Sequence, residues 1–85
     1  MARLIPAAER ITRARALIQK AREVPVPETG RFDLNYIARV KGLLQEARDL
    51  VKFITYRPGI STEMKNEVAE ILQQASQVEK ERFHD

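Results

Sequence analysis

The sequence predicts an all-α fold, an antiparallel up-down-up bundle of three helices with heptad-like packing. Three stretches repeat apolar residues at alternating gaps of three and four, a spacing that returns side chains to one side of an α-helix. Proline and glycine interrupt the pattern at 24–33 and again at 57–61, which gives two connections between three helices. A chain of 85 residues has room for one hydrophobic core, so residues 1–85 are predicted to form a single helical domain.

The first helix is predicted over about residues 6–23. Pro6 suits the first helical position, because the N–H group that proline lacks would have no intrahelical partner there. The segment 24–27 reads Val-Pro-Val-Pro. It ends the helix, since a residue that precedes proline is pushed out of the α region.

The second helix is predicted over about residues 34–56, where the apolar pattern is continuous. Asp33 is a good N-cap, because its side chain can accept hydrogen bonds from the first free N–H groups of the helix. Phe32 and Ile37 flank this position as the two members of a hydrophobic staple. The start of this helix is therefore the best-marked boundary in the chain.

The third helix is predicted over about residues 62–82. A turn at 57–59, which reads Arg-Pro-Gly, separates it from the second helix. Ser61 or Thr62 is expected to provide its N-cap. Connections this short favour antiparallel neighbours, which gives the up-down-up order.

The apolar side of the second helix is broad, because two adjoining registers run along it. One register begins at Ile37 and the other at Tyr36, and both continue to Ile54. A helix that packs against one neighbour needs a narrow seam, whereas one that packs against two needs both registers. The second helix is therefore predicted to be the middle helix. The predicted core, widened by Leu43, Leu50 and Leu72, consists of Ile11, Ala14, Ile18, Ala21, Ile37, Val40, Leu44, Ala47, Val51, Ile54, Met64, Val68, Ile71, Ala75 and Val78.

The net charge of +3 is unevenly distributed. Residues 1–57 hold twelve Lys and Arg against six Asp and Glu, whereas residues 58–85 hold three against six. This division predicts that the last helix is attracted to the first two within one molecule. Head-to-tail association between copies would use the same charges.

Few residues in the chain suit catalysis, and we expect no enzymatic activity. There is no cysteine, and the single histidine, His84, lies next to the last residue, where a side chain is rarely held in place. Glu81 and His84 have the spacing of a di-iron helix motif, but such sites need inward glutamates from other helices. The apolar stripes of the first two helices contain none. We therefore predict no metal, no cofactor and no small-molecule substrate.

The sequence also lacks the features of a membrane protein. No stretch approaches the ~20 apolar residues of a spanning helix, and the first residues lack the apolar run of a secretory signal. We expect a cytoplasmic protein with no membrane partner.

Four apolar residues fall outside or at the edge of the three core stripes, namely Leu17, Phe53, Tyr56 and Phe83. Exposed apolar side chains gathered at one end of so small a domain indicate a partner surface. The predicted function is therefore a protein–protein interaction or oligomerisation module, with another protein or a second copy as the partner. The alternative is that the aromatic residues simply cap the core.

A different function is suggested by the basic residues of the first helix. Arg3, Arg10, Arg13 and Lys20 fall on one flank of its stripe, where they could neutralise phosphates of a nucleic acid. The alternative is a solvated face, on which Arg13 pairs with Glu9 and other cations meet the acids of the third helix. Nucleic-acid sites usually add aromatic stacking beside the cations, and this helix has no aromatic residue.

Overall fold

A computed structural model describes residues 6–83 and contains three α-helices. They are α1, Ala7–Glu23; α2, Leu34–Val51; and α3, Thr62–Phe83, with a short 3-10 helix at Ile54–Tyr56. Each α-helix packs against the other two, and no strand occurs in this part of the chain. The predicted fold class, an all-α three-helix bundle, is confirmed.

Hydrogen bonds between helices fix their directions. Arg10, near the start of α1, donates from Nη1 to the carbonyl oxygen of Leu50, near the end of α2, at 3.3 Å. Arg82, near the end of α3, donates from Nη1 to the hydroxyl of Tyr36, near the start of α2, at 3.3 Å. Both pairs of helices are therefore antiparallel. As predicted, α2 contacts both neighbours, but α1 and α3 also contact each other, so the bundle is closed rather than a row of three.

Asp33 is the N-cap of α2, as predicted. Its Oδ1 accepts hydrogen bonds from the backbone N–H groups of Asn35 and Tyr36 at 2.9 and 3.1 Å, and its Oδ2 accepts one from the Thr29 hydroxyl at 2.7 Å. The Thr29 hydrogen bond, followed by that of the Tyr36 N–H, lowers the pKa of Asp33 below its ordinary value. The cap is therefore fully ionised at neutral pH, and its stabilising effect is lost only as the pH falls through this lowered pKa.

Ser61 rather than Thr62 provides the cap of α3. The Ser61 hydroxyl oxygen accepts a hydrogen bond from the N–H of Met64 at 3.1 Å. The turn before it contains Gly59 at φ +79°, a left-handed conformation that glycine adopts without steric cost. This explains why a glycine follows Pro58 at this joint.

The buried core agrees with the prediction except at five positions, one of which is Leu72, expected to widen the core but 36% exposed. Ile37 and Met64, predicted to be core residues, are half-buried, whereas Tyr36 and Val24 are buried. The helix α2 is rotated about its axis so that the register beginning at Tyr36, rather than the one beginning at Ile37, faces the core. Tyr36 can be buried because its hydroxyl has a partner in Arg82. The buried side chains are Ile11, Ala14, Ile18, Ala21, Val24, Tyr36, Val40, Leu44, Ala47, Val51, Ile54, Val68, Ile71, Ala75 and Val78.

The predicted end of the second helix at residue 56 was wrong, because α2 ends at Val51. The residues at 53–56, Phe-Ile-Thr-Tyr, are aromatic and β-branched and have low helix propensity. They form a tighter turn in which the Tyr56 N–H donates to the Phe53 carbonyl at 3.2 Å and the Arg57 N–H to the Ile54 carbonyl at 3.0 Å. This 3-10 turn still buries Ile54, which is 1% exposed, but it leaves its two aromatic neighbours outside the core.

Gly42 lies in the middle of α2, on an exposed face. A Cβ atom at this position would meet nothing within 4 Å, so alanine would gain helix propensity without a clash. Gly42→Ala is expected to raise the free energy of unfolding by about 0.5–1 kcal/mol. Gly59→Ala is the comparison with the opposite expected sign, because an alanine at φ +79° is strained. It should lower the free energy of unfolding, and urea denaturation measures both effects. A lower stability for Gly42→Ala would contradict this description of α2.

Candidate interaction surfaces

Two exposed aromatic side chains lie side by side where α2 gives way to the 3-10 helix. Phe53 is 64% exposed and Tyr56 is 80% exposed, and their ring centroids are 6.3 Å apart. We call these two residues, with Lys52 and Arg57, the joint surface. Both aromatic residues were predicted interaction residues, and the structure places them together.

The joint surface carries positive charge. Lys52 Nζ lies 5.1 Å from the centroid of the Phe53 ring, within the range of a cation–π interaction. It also lies 3.1 Å from Oδ1 of Asp49, and hydrogen bonds from Lys52 and then Gln45 lower the pKa of Asp49. Asp49 therefore offsets the charge of Lys52, whereas Arg57 forms no ion pair within residues 6–83.

Phe83, another predicted interaction residue, lies at the opposite end of α2 from the joint surface. Its ring meets that of Tyr36 edge-on, with centroids 6.1 Å apart and an interplanar angle of 74°. It is half-buried and packs against the core. The expectation that the outlying apolar residues gather at one end was therefore wrong, because α3 returns along α2 and brings its last turn to the start of that helix.

Leu17 is separate from both ends. It is half-buried, packs against the core, and lines a shallow groove between α1 and α2 together with Leu50, Arg13 and Lys20. Most of its apolar surface is therefore used within the bundle.

The basic residues of α1 are largely engaged within the molecule. Arg10 is half-buried and donates a hydrogen bond to the Leu50 carbonyl oxygen. If α2 continued as an α-helix, that oxygen would accept the hydrogen bond of the Ile54 N–H. Arg13 pairs with Glu9 at 3.1 Å. Lys20 is exposed. The fourth predicted residue, Arg3, lies outside the described residues.

The acids of α3 pair with cations of both other helices. Arg15 of α1 lies 3.9 Å from Glu67, and Arg48 of α2 lies 3.4 Å from Glu79. Acids of the last helix thus pair with cations of the first two helices within one molecule, as predicted. These pairs are half-exposed, so each adds little to stability and mainly orients α3.

A further apolar site was missed by the sequence prediction. It is a groove of about 390 Å3 between the start of α2 and the end of α3, which we call the α2–α3 groove. Phe32, predicted to serve in a staple, is instead 73% exposed. The sequence gives no signal that Phe32 and Phe83 line one groove, since only the fold places both residues there. The groove is lined by Phe32, Ile37, Lys41, Glu79, Lys80 and Phe83.

Two sequence predictions concern metals and membranes. Within residues 6–83, no three His, Cys, Asp or Glu side chains are grouped so that they could hold a metal ion, and the pair of Glu81 with His84 includes a residue outside that range. None of the described helices combines the length and the apolar character that crossing a membrane requires.

No protein-family model, curated protein or solved structure matches this chain. The candidate functional sites are the joint surface and the α2–α3 groove.

Proposed function

We propose that the protein is a non-enzymatic interaction or oligomerisation module that binds another protein or a second copy of itself. The observation that supports this is the joint surface, where the rings of Phe53 and Tyr56 lie side by side and mostly exposed. The core does not use either ring, because Ile54 supplies the buried side chain of this segment. The cytoplasmic location expected from the sequence stays part of the proposal.

The energetic basis is the burial of these rings by a partner. An aromatic side chain buries about 150–250 Å2, and removal of apolar area from water contributes about 25 cal/mol per Å2 before the costs of association. Tyrosine and arginine are also enriched among the residues that dominate binding energy. Tyr56 and Arg57 are adjacent in the joint surface, so it combines both types.

Phe53→Asp tests this proposal, with Thr55→Asp as the matched control on the same exposed turn. Both variants add one carboxylate, and both should keep the helical circular dichroism of the parent. Sedimentation at micromolar concentration, together with purification from cells, should reveal an associated copy or partner. We expect Phe53→Asp to lose it and Thr55→Asp to retain it. Retention by both variants, or no association even for the parent, would contradict the proposal.

Nucleic-acid binding by the first helix remains the alternative, with less support. Two of its described cations already have partners, since Arg10 donates to Leu50 and Arg13 pairs with Glu9. Titration of random-sequence DNA or RNA at about 50 mM salt distinguishes the two functions, because phosphate binding is strongest at low salt. Binding that is lost when Arg10 and Arg13 are both replaced by Glu, but kept in Phe53→Asp, would favour this alternative.

A further inference from the structure

The floor of the α2–α3 groove is apolar and held in place by the core. The Phe83 ring lies edge-on against the buried Tyr36, whose hydroxyl accepts a hydrogen bond from Arg82. Ile37, which also packs against the core, completes the floor from the side of α2. A floor that is already fixed in the free protein lowers the ordering cost of binding.

The exposure of Phe32 is not explained by a role in starting α2. The cap is made by Asp33, which holds the N–H groups of Asn35 and Tyr36 and is itself fixed by Thr29. Phe32 remains 73% exposed beside the groove. Its ring is therefore available to a partner without loss of the helix start.

The rim of the groove has an unbalanced positive charge. Lys41 of α2 lies with its Nζ 5.8 Å from the centroid of Phe83, and Lys80 lines the groove from α3. Neither lysine forms an ion pair with a carboxylate in the described part of the chain. Glu79, the acid on this rim, faces Arg48 at 3.4 Å, so it does not neutralise the lysines.

The shape of the site suits a helix. A groove between two antiparallel helices is the position that a further helix occupies in a four-helix bundle. Leu72, 36% exposed, lies about three turns before Phe83 on the same side of α3, a distance of about 16 Å at 1.5 Å per residue. Leu72 and Phe83, with Ser76 and Glu79 between them on this side of α3, are spaced to contact the two ends of a partner helix of about three turns.

We infer that the α2–α3 groove binds an acidic amphipathic helix of a partner protein. Large apolar side chains of that helix, at the i, i+3 or i+4, and i+7 positions, contact Phe32, Ile37 and Phe83. Its Asp or Glu residues meet Lys41 and Lys80, and this charge pairing sets the orientation and weakens with salt. The site is separate from the joint surface and does not depend on it.

A second copy of the chain that docks through its joint surface is a poorer occupant. The exposed aromatic pair that it could offer, Phe53 and Tyr56, is adjacent to Arg57, so docking there would bring cations against Lys41 and Lys80. Like charges placed opposite each other across an interface disfavour the complex. The charge of the rim therefore favours an acidic partner over the joint surface of a second copy.

Selection from a library of random 16-residue peptides displayed on phage, with the full chain as bait, tests the inference. We expect enriched peptides to combine large apolar residues at helical spacing with Asp and Glu. Phe32→Ala should weaken the best peptide at least tenfold, as should the joint change of Lys41→Glu and Lys80→Glu. The control variant, Lys20→Glu with Arg22→Glu, makes the same change in net charge at exposed positions away from the groove and should retain binding.

Amide shifts in NMR spectra locate the bound peptide. The shifts should concentrate at Ile37 and Phe83, with Phe53 and Tyr56 unchanged, which separates this site from the joint surface. The inference is overturned if no peptide is enriched or if the enriched peptides lack acids. It is also overturned if Phe32→Ala binds the peptide as well as the parent does, or if the control variant loses binding as the lysine variant does. A parent dimer that Phe32→Ala converts to a monomer would assign the groove to a second copy and would also overturn it.

Discussion

Leu44→Ala is expected to lower the free energy of unfolding by about 3–5 kcal/mol. Leu44 is completely buried in α2, and removal of its side chain loses the transfer free energy and leaves a cavity. A domain of this size has a total stability of roughly 4–13 kcal/mol at 0.05–0.15 kcal/mol per residue, with small domains at the low end. The variant should therefore be largely unfolded at physiological temperature, as monitored by circular dichroism during urea or thermal denaturation.

Leu34→Ala is the matched control, because it makes the same substitution in the same helix at a residue that is 81% exposed. Its effect should stay within about 0.5 kcal/mol. A similar decrease in the free energy of unfolding for Leu44→Ala and Leu34→Ala would show that α2 does not bury the face described above.

The second large effect is expected from Ala47→Leu, which adds volume instead of removing it. Ala47 is completely buried, as are Ala14, Ala21 and Ala75, so the closest helix contacts depend on small side chains. Insertion of a larger side chain into a close-packed interior costs about 1–3 kcal/mol, since neighbouring side chains and backbone must shift.

Ala38→Leu provides the comparison for this change, because Ala38 is an exposed residue of α2. Denaturation midpoints should fall for Ala47→Leu and stay nearly constant for Ala38→Leu. An unchanged or higher midpoint for Ala47→Leu would mean that space exists beside this alanine, contrary to the packing described.

Local signals in the sequence were sufficient to predict the helices and their caps. Asp33 and Ser61 act through groups only two or three residues away, so their roles are visible in a linear sequence. The core stripes follow from helical periodicity for the same reason. The rotation of α2, which buries Tyr36 in preference to Ile37, depends on contacts with α3 and could not be read from either register alone.

The end of α2 and the surfaces were harder to predict, for different reasons. The apolar period continues to Ile54, and the 3-10 turn preserves its burial, so periodicity alone does not reveal that the α-helix has ended at Val51. The groove is lined by both Phe32 and Phe83, residues from distant parts of the chain. The engagement of Arg10 by the Leu50 carbonyl is likewise a tertiary contact.

The placement of the two tyrosines gives each end of the molecule its own optical reporter. The chain has no tryptophan, so tyrosine dominates its intrinsic fluorescence. Tyr36 lies beneath Phe83 in a dry environment, whereas Tyr56 is surrounded by water. In unlabelled protein with one tyrosine changed to phenylalanine, the emission of the other therefore registers events at its own end of α2.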